Sequence, residues 1–351
     1  MAFPISLFRQ DASNDKIFRD HFWETQQLAK DEADCDLVVW PEGMIAHYDF
    51  NAARWAPLAE SIDRYRPETQ ARVRDYLTKF RRLNRLLIDL DCPLLAGAPM
   101  PIRYTIPEEN EAIYCNSMVM YRPGPRGLPV LVDRYDKMHP VPFGEYVPFR
   151  ESWPWLHRRL RSLVPEPMPQ LEPGRKVVRF QITGPAGRRV RLATPICYEG
   201  VFVRDCRRLV DKPADDGADM IVNASNDGWF IYLGRKYIVA GPAIEHASTE
   251  LEQHLSQYVF RAIENRVPVV RAVNTGISAS INSDGGIEQT VSHRGKQKMV
   301  AGRMVAQTLV DRRISPYSLV GDVFAIGVCL AFVGGLVWLI WPRRVKGKEQ
   351  E

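Results

Sequence analysis

Residues 190–202 read VRLATPICYEGVF, and this stretch places a thiol at the end of an apolar, strand-like run. The run covers 190–196, Cys197 follows it directly, and Glu199 comes two positions later. On an extended strand, side chains two positions apart point to the same face, so we expect Cys197 and Glu199 to lie together. A buried structural cysteine needs no carboxylate beside it. The pair therefore favours a nucleophile.

Apolar runs of the same kind recur along the chain between longer mixed segments. Strands are predicted at 36–40, 93–98, 112–121, 130–135, 190–196, 219–225, 267–274 and 278–282. Helices are predicted at 72–90 and 243–265, where apolar residues recur every three to four positions. The composition, with 45% hydrophobic and 25% charged residues, is that of a globular chain. Alternating strands and helices predict an α/β domain.

The C-terminal end is apolar without interruption. Residues 323–341 read VFAIGVCLAFVGGLVWLIW and carry no charge. As a helix this stretch is about 28 Å long, which matches the hydrocarbon core of a bilayer. We therefore expect a folded domain over 1–315, a transmembrane helix over 319–341 and a basic tail over 342–351.

Charges on the two sides of this helix bear on its orientation. The basic tail favours the cytoplasmic side, which puts the folded domain on the outer side, although Arg312 and Arg313 on the other flank oppose this. Residues 1–11 have neither the basic start nor the long apolar core of a signal peptide. Either the domain stays in the cytoplasm, or a membrane portion is encoded upstream or separately.

Composition also argues against two classes of site. The formal net charge of +5 is small and dispersed, and no nucleic-acid motif is present, so no nucleic-acid partner is expected. The six cysteines form no CxxC pair, and the seven histidines are scattered without a metal-ligand spacing. We expect neither a metal ion nor a cofactor.

Charged side chains stand directly after predicted strands. Glu42 ends the motif VVWPE. Lys137 lies near the start of a second motif, RYDKMHPVPFGEYVPF at 134–149, in which prolines stiffen the loop that carries Glu145. Catalytic residues of α/β folds concentrate at such strand ends. A thiol nucleophile needs a base to remove its proton and a positive charge to stabilise the oxyanion. Glu42, Lys137 and Cys197 together supply these groups.

A fourth strand end carries a polar turn. Residues 223–230 read NASNDGWF. Asn226 and Asp227 can form local hydrogen bonds there, and Trp229 and Phe230 can wall a cavity. We predict that these four residues line a substrate pocket.

In these motifs the chain resembles the nitrilase, or carbon–nitrogen hydrolase, superfamily, whose members use a Glu–Lys–Cys triad. Within it, the motifs are most similar to the apolipoprotein N-acyltransferase branch. VVWPE, YDKMHPVPFGEYVPF, PICYE and NASNDGWF occur in that order, and the stretch at 253–281 continues the likeness. The resemblance implies a nitrilase-like αββα sandwich, followed here by a single C-terminal transmembrane helix.

The resemblance also implies roles for individual residues. It makes Glu42 the base, Lys137 the oxyanion stabiliser and Cys197 the nucleophile. Three further side chains are expected to support this triad, namely Glu145, Tyr198 and Glu199. The expected role of base thus passes from Glu199, the neighbour of the thiol in sequence, to Glu42.

The reaction that the resemblance implies is acyl transfer at a membrane. A phospholipid donates a fatty acyl chain to the cysteine as a thioester, and the amine of the diacylglyceryl-cysteine of an apolipoprotein accepts it. The implied location is the bacterial inner (cytoplasmic) membrane, with the catalytic domain on the periplasmic side.

The sequence departs from this branch at three places. The N-terminal bundle of membrane helices is absent from it, so a separate membrane-bundle subunit is an expected partner. The continuation WPEGMIAH after Glu42 is unusual, and the segment 231–252 is longer than expected. These two segments bear on the substrate pocket.

Residues 151–164, ESWPWLHRRLRSLV, form a basic amphipathic segment. Trp153, Trp155 and Leu156 are interleaved with arginines, a pattern typical of segments that lie in a lipid interface. We predict a membrane-contacting lid here. The alternative is an ordinary helix with a solvated basic face.

Three functional hypotheses remain open at this point. The first is the membrane acyltransferase, either alone or as the catalytic half of a split enzyme. The second is a nitrilase-type amidase that hydrolyses a small C–N substrate, which would also pass through a thioester. The third is a non-catalytic remnant, which the presence of all three triad residues argues against.

Overall fold

The computed structural model describes residues 12–31, 35–45, 60–102, 114–164, 170–184, 187–234 and 244–341. The predicted basic tail at 342–351 lies outside the described residues, as do residues 1–11. All thirteen residues predicted for the site and the lid lie inside them.

The helices alternate with strands along most of the chain. Seven α-helices are described: α1 Ala12–Lys30, α2 Pro67–Leu90, α3 Pro154–Arg161, α4 Val203–Val210, α5 Glu250–Asn265, α6 Pro316–Val320 and α7 Val323–Ile340. Short 3₁₀ turns occur at Ile62–Arg64, Pro125–Gly127, Cys197–Val201 and Asp227–Phe230.

Twelve strands are described in the same part of the chain. They are β1 Val38–Trp40, β2 Leu94–Pro101, β3 Tyr114–Arg122, β4 Val130–Asp136, β5 Arg179–Thr183, β6 Arg189–Ala193, β7 Met220–Asn226, β8 Ile231–Gly234, β9 Ile244–Ala247, β10 Val269–Asn274, β11 Ala279–Ile281 and β12 Ile287–Thr290.

These strands form two main sheets. The first has the order β1-β2-β3-β4, in which β1 and β2 run parallel and the other neighbours antiparallel. The second has the order β12-β11-β10-β7-β6-β5, and β10, β7 and β6 at its centre run parallel. Strands β8 and β9 form a separate antiparallel pair.

Alternate residues of the first sheet pack in opposite directions, as the period of a strand requires. Leu95 and Met118 belong to a core shared with Val222 of the second sheet, whereas Leu94 and Val119 pack in a second core with α1 and α2. The outer face of the second sheet is covered by α4 and α5, whose buried residues join the shared core. The layers are therefore helix, sheet, sheet and helix, which confirms the expected αββα sandwich.

The eight predicted strands are all present, with small shifts of their ends. Two details of the prediction are wrong. The predicted helix 243–265 begins at Glu250, because Ile244–Ala247 pairs with β8. The chain at Cys197 is not extended, because β6 ends at Ala193 and Cys197 opens a 3₁₀ turn. The same-face argument for Cys197 and Glu199 therefore does not apply.

Helix α7 is long and apolar enough to cross a membrane, and none of it is buried against the rest of the protein. A core helix of a soluble protein would be mostly covered. The predicted span 319–341 also includes the end of α6, which Gly321 separates from α7 with a positive φ of 61°.

Candidate active site

Glu42 lies just beyond the end of β1, in a turn pressed against β2. The backbone N–H of Gly97 donates to the carbonyl of Pro41 at 3.3 Å, and a Cβ at Gly97 would lie 2.5 Å from the Cα of Glu42. Only a glycine permits this approach. The strand pairing and the glycine together fix where the carboxylate enters the site.

Three donors converge on the carboxylate of Glu42, which is 7% exposed. Its Oε2 accepts from the backbone N–H of Asn226 at 2.8 Å. Its Oε1 accepts from Nδ2 of Asn116 at 2.6 Å and from Nζ of Lys137 at 3.2 Å. The carboxylate is thus held by groups from both sheets.

Lys137 follows β4 and is almost fully buried. Its Nζ lies 3.2 Å from Glu42 and 2.9 Å from Oε2 of Glu145. Burial alone would lower the pKa of Lys137, but the charges of Glu42 and Glu145 outweigh it and raise that pKa. The ammonium therefore stays charged. An ammonium group has three N–H donors, and two of them can serve these carboxylates.

Glu145 is fixed by the stiff loop in which it stands. Its Oε2 accepts from the backbone N–H of Val141 at 2.6 Å, and its Oε1 accepts from Nδ2 of Asn116 at 2.5 Å. Because Asn116 donates to both Glu42 and Glu145, its amide spaces the two carboxylates around the lysine.

Cys197 stands at the start of its turn with a left-handed backbone, at φ 48°. Burial raises the pKa of its thiol, the charge of Glu42 raises it further, and the charge of Lys137 opposes both. A hydrogen bond with Ser225 also lowers this pKa. The thiol is therefore protonated at neutral pH, and its use as a nucleophile requires a base within the site.

Glu199 ties two loops together through its hydrogen bonds. Its carboxylate accepts from the backbone N–H groups of Met138 at 2.6 Å and Ile196 at 2.7 Å, and from the hydroxyl of Tyr135 at 3.0 Å. Burial raises the pKa of Glu199, although these hydrogen bonds and the charge of Lys137 oppose the rise. It joins the loop after Lys137 to the turn at Cys197.

The polar turn after β7 divides into a buried and an exposed half. Asn226 and Asp227 are buried, and Asp227 accepts hydrogen bonds from Ser225 and His254, so these two residues build the floor of the site. Trp229 is 52% exposed and Phe230 is half-buried. Of the four predicted pocket residues, these two aromatic side chains have surface available for a ligand.

Exposed aromatic residues also stand on neighbouring segments. Tyr198, 39% exposed, packs edge-on against Phe202 with ring centroids 5.4 Å apart. Trp153 and Trp155 are each at least half exposed, and their ring centroids lie 5.6 Å apart. Leu156 is half-buried in α3. The predicted lid is thus a short helix whose tryptophans face solvent.

Several residues of the site were not singled out from the sequence. Asn116, Ser225, His254 and Tyr258 all contact predicted site residues. Two features of the sequence could have indicated them. Asn116 is a polar residue within the apolar run of β3, and His254 lies on the apolar face of α5. Within the described residues, no group of three or more His, Cys, Asp or Glu side chains is arranged to hold a metal ion.

The sequence of this chain is similar to those of curated proteins. The chain is 30% identical over 320 residues to apolipoprotein N-acyltransferase 1 of Treponema pallidum (strain Nichols), covering 89% of this chain and 50% of that protein. It is also 30% identical over 320 residues to the apolipoprotein N-acyltransferase of Chlorobaculum tepidum (strain ATCC 49652 / DSM 12025 / NBRC 103806 / TLS), covering 88% and 50%. The chain thus spans about half the length of these curated relatives.

Among solved structures, the C. elegans NitFhit protein matches with a TM-score of 0.48 and 18% identity, over 80% of this chain and 55% of that chain. The family model described as carbon-nitrogen hydrolase matches residues 20–307, a range that contains every residue of the site. The chain belongs to the carbon-nitrogen hydrolase family.

Proposed function

We propose that this protein is an N-acyltransferase that moves a fatty acyl chain from a phospholipid, through a thioester on Cys197, to the diacylglyceryl-cysteine of apolipoproteins. The observation that carries the proposal is the buried Lys137, ion-paired with two carboxylates, whose charge acts on the Cys197 thiol. The names of the similar proteins support the choice of donor and acceptor.

The first half of the reaction transfers the acyl chain to the enzyme. Glu42 accepts the thiol proton, and the thiolate attacks the carbonyl carbon of the phospholipid ester. Lys137 stabilises the tetrahedral oxyanion with its third N–H. When the intermediate collapses, the C–O bond of the ester breaks and the lysophospholipid leaves as an alcohol with the proton from Glu42.

The second half transfers the chain to the acceptor. The amine of the lipoprotein cysteine attacks the thioester, and Glu42 takes a proton from the attacking nitrogen. The C–S bond breaks as the amide forms, and the thiolate recovers its proton from Glu42. A thioester suits this step because amines attack it faster than the starting ester.

The membrane parts of the protein fit lipid substrates. In this proposal residues 1–315 form the catalytic domain, α7 lies within the span 319–341, and 342–351 form a cytoplasmic tail. The domain would then stand on the periplasmic side of the inner membrane. The chain spans about half the length of the similar proteins, and a separate membrane-bundle subunit is one partner that we propose.

Hydrolysis of a small amide is the second candidate. The same three residues would form the thioester, and water would replace the amine. The exposed apolar helix α7 and the exposed tryptophans of α3 favour the lipid reaction, because a soluble amide would need neither.

A complete transfer assay separates the two candidates. The protein in liposomes is given a synthetic diacylglyceryl-cysteine lipopeptide, and the peptide is weighed by mass spectrometry. A gain of one fatty acyl group, retained after hydroxylamine treatment as an amide, is expected. Hydrolysis of a soluble amide with no lipopeptide product would favour the amidase.

A further inference from the structure

The backbone of Cys197 adopts a conformation that its side chain disfavours. With a φ of 48°, the residue lies in the left-handed region, which is costly for any residue that carries a Cβ. Such a conformation persists only when surrounding contacts enforce it, and it is common at functional sites. Two side chains of one helix contact the carbonyl of this residue.

Two side chains of α5 hold the carbonyl of Cys197. The hydroxyl of Tyr258 donates to this oxygen at 2.8 Å, and Nε2 of His254 lies 3.1 Å from it. Tyr258 is fully buried and His254 is 6% exposed. The two residues are four positions apart, so they project from the same face of the helix, one turn above the other.

The other ring nitrogen of His254 contacts a buried carboxylate. Nδ1 lies 2.9 Å from Oδ1 of Asp227. Burial would raise the pKa of Asp227, but the hydrogen bond and charge of His254, and the charge of Arg271, lower it, so Asp227 is ionised. The ring of His254 thus bridges the carboxylate of Asp227 and the carbonyl of Cys197.

Tyr258 is also held by buried neighbours. Its hydroxyl accepts from Nδ2 of Asn223 at 2.7 Å, and Oδ1 of that asparagine accepts from Nε of Arg271 at 2.9 Å. The guanidinium of Arg271 lies over the Tyr258 ring, 4.8 Å from its centroid. A Cβ at Gly200 would lie 2.3 Å from the ring, so only a glycine lets the nucleophile turn approach it.

We infer that His254 and Tyr258 are positioning residues, which hold the carbonyl of Cys197 and thereby keep its thiol directed at Glu42 and Lys137. Both side chains contact the backbone carbonyl of Cys197. They act through the backbone of the nucleophile. The inference rests on the proposed function only in taking Cys197 as the nucleophile.

The test measures acylation of the thiol by a simple ester. The full chain in detergent is mixed with p-nitrophenyl butyrate, and the burst of p-nitrophenol gives the rate constant for acyl-enzyme formation. Tyr258→Phe and His254→Ala should each lower this rate constant about tenfold to hundredfold, with KM unchanged within about twofold. His254→Gln should lose less, because its amide N–H can still donate to the carbonyl.

Two controls separate positioning from loss of fold. Tyr121→Phe makes the same change at an equally buried site on the far side of the first sheet, and it should leave the burst unchanged. Alkylation of the buried Cys206 by iodoacetamide, followed by mass spectrometry, reports general loosening of the domain.

The outcomes are distinct. The inference is overturned if Tyr258→Phe and His254→Ala keep the wild-type burst, or lose it only as far as Cys206 becomes reactive. A wild-type protein with no burst would reject Cys197 as the nucleophile and the inference with it. A wild-type burst without phospholipid transfer would reject the proposed acyl donor alone, and the variants would still test the inference.

Discussion

At the scale of single residues, the proposed chemistry depends on two opposite charges beside one thiol. Burial and the charge of Glu42 raise the pKa of Cys197, and the charge of Lys137 lowers it. The two neighbours therefore act on the thiol in opposite directions, although the proposed reaction needs both. This opposition gives a test that inactivity alone would not provide.

Glu42→Gln should speed alkylation of Cys197 by iodoacetamide near pH 8, because it removes a charge that raises the pKa of the thiol. Lys137→Met should slow it, because it removes the charge that lowers this pKa. Both variants should lose acyl transfer by about 10²-fold or more, since the first lacks the base and the second lacks the oxyanion partner.

The measurement is a pH series of Cys197 alkylation, followed by peptide mass spectrometry with Cys206 as the internal control. Below its pKa, a thiol should react about ten times faster for each unit of pH, since only the thiolate is alkylated. Equal slowing in the two variants would contradict the assignment of opposite charges to the site.

The residues that sequence reasoning identified were those in continuous motifs. Glu42, Lys137 and Cys197 each follow a strand, and Glu145 stands in the loop after Lys137. The structure brings Glu42 and Glu145 into contact with Lys137. Asn116 was not identified, because its partner Glu42 lies 74 positions away and nothing in β3 indicates that distance. Pairing between remote segments is a property of the folded chain.

At the scale of elements, the site depends on how closely neighbouring strands approach. Gly97 of β2 lies under the turn that carries Glu42, where an added Cβ would meet the backbone at 2.5 Å. Backbone atoms cannot move aside as a flexible side chain can. A substitution here should therefore displace Glu42 rather than merely strain the core.

Gly97→Ala should lower the rate of acyl-enzyme formation about 10²-fold through displacement of the base, and should destabilise the domain by about 1–3 kcal/mol. The burst assay and a thermal melt measure the two effects. Gly184→Ala is the matched control, because its Cβ would make only an ordinary 3.4 Å contact with Val190. Full activity of Gly97→Ala would show that the close approach is not needed.

Helix α3 offers a second test at this scale. Trp153→Glu and Trp155→Glu together should weaken binding of the protein to liposomes, because they replace exposed apolar surface by charge. Trp23→Glu, at a similarly exposed tryptophan of α1, is the control. Sedimentation with liposomes measures binding. The protein is first cleaved from α7, because insertion of that helix into the bilayer would mask the effect of the substitutions. Equal binding by all variants would remove the lid from the proposal.

The elements that could be predicted were those with a clear apolar pattern. The central strands are buried on both sides and therefore read as continuous apolar runs. Strand β12, IEQT, is an edge strand with exposed side chains, and its sequence carries no such signal. The turn at Cys197 was also unpredictable, because its carbonyl is contacted by His254 and Tyr258 from a helix that is distant in sequence.

At the scale of the whole molecule, the apolar helix is attached to the domain through the helix that follows the nucleophile. Arg207 of α4 donates to the carbonyls of Tyr317, Ser318 and Leu319 at 3.0–3.2 Å. Arg204 of the same helix pairs with Asp322 at 2.5 Å. These arginines fix the base of α7 relative to the active site.

Arg207→Ala should loosen the junction between α4 and residues 317–319, which lead into α7. The loss of charged hydrogen bonds to backbone carbonyls is worth about 1.5 kcal/mol, so trypsin should release the domain from liposomes about tenfold faster. Arg208→Ala, on the exposed side of α4, is the control. An unchanged rate of release would show that the arginine does not fix the helix.

The apolar pattern of the sequence predicted an α/β domain and an apolar C-terminal helix. The motifs resemble a known family, and that resemblance implied the family and its αββα layers. The contact between Arg207 and Ser318 could not be predicted, because the two residues lie more than a hundred positions apart.

The central claim is that Cys197 carries the acyl chain, and one measurement tests it most directly. The membrane-embedded protein is incubated with phospholipid labelled in its acyl chain, without an acceptor, and the label on the protein is followed. Label should appear on the Cys197 peptide, be released by hydroxylamine as a thioester requires, and be absent from Cys197→Ala. A wild-type protein that takes up no label while it hydrolyses a soluble amide would contradict the account.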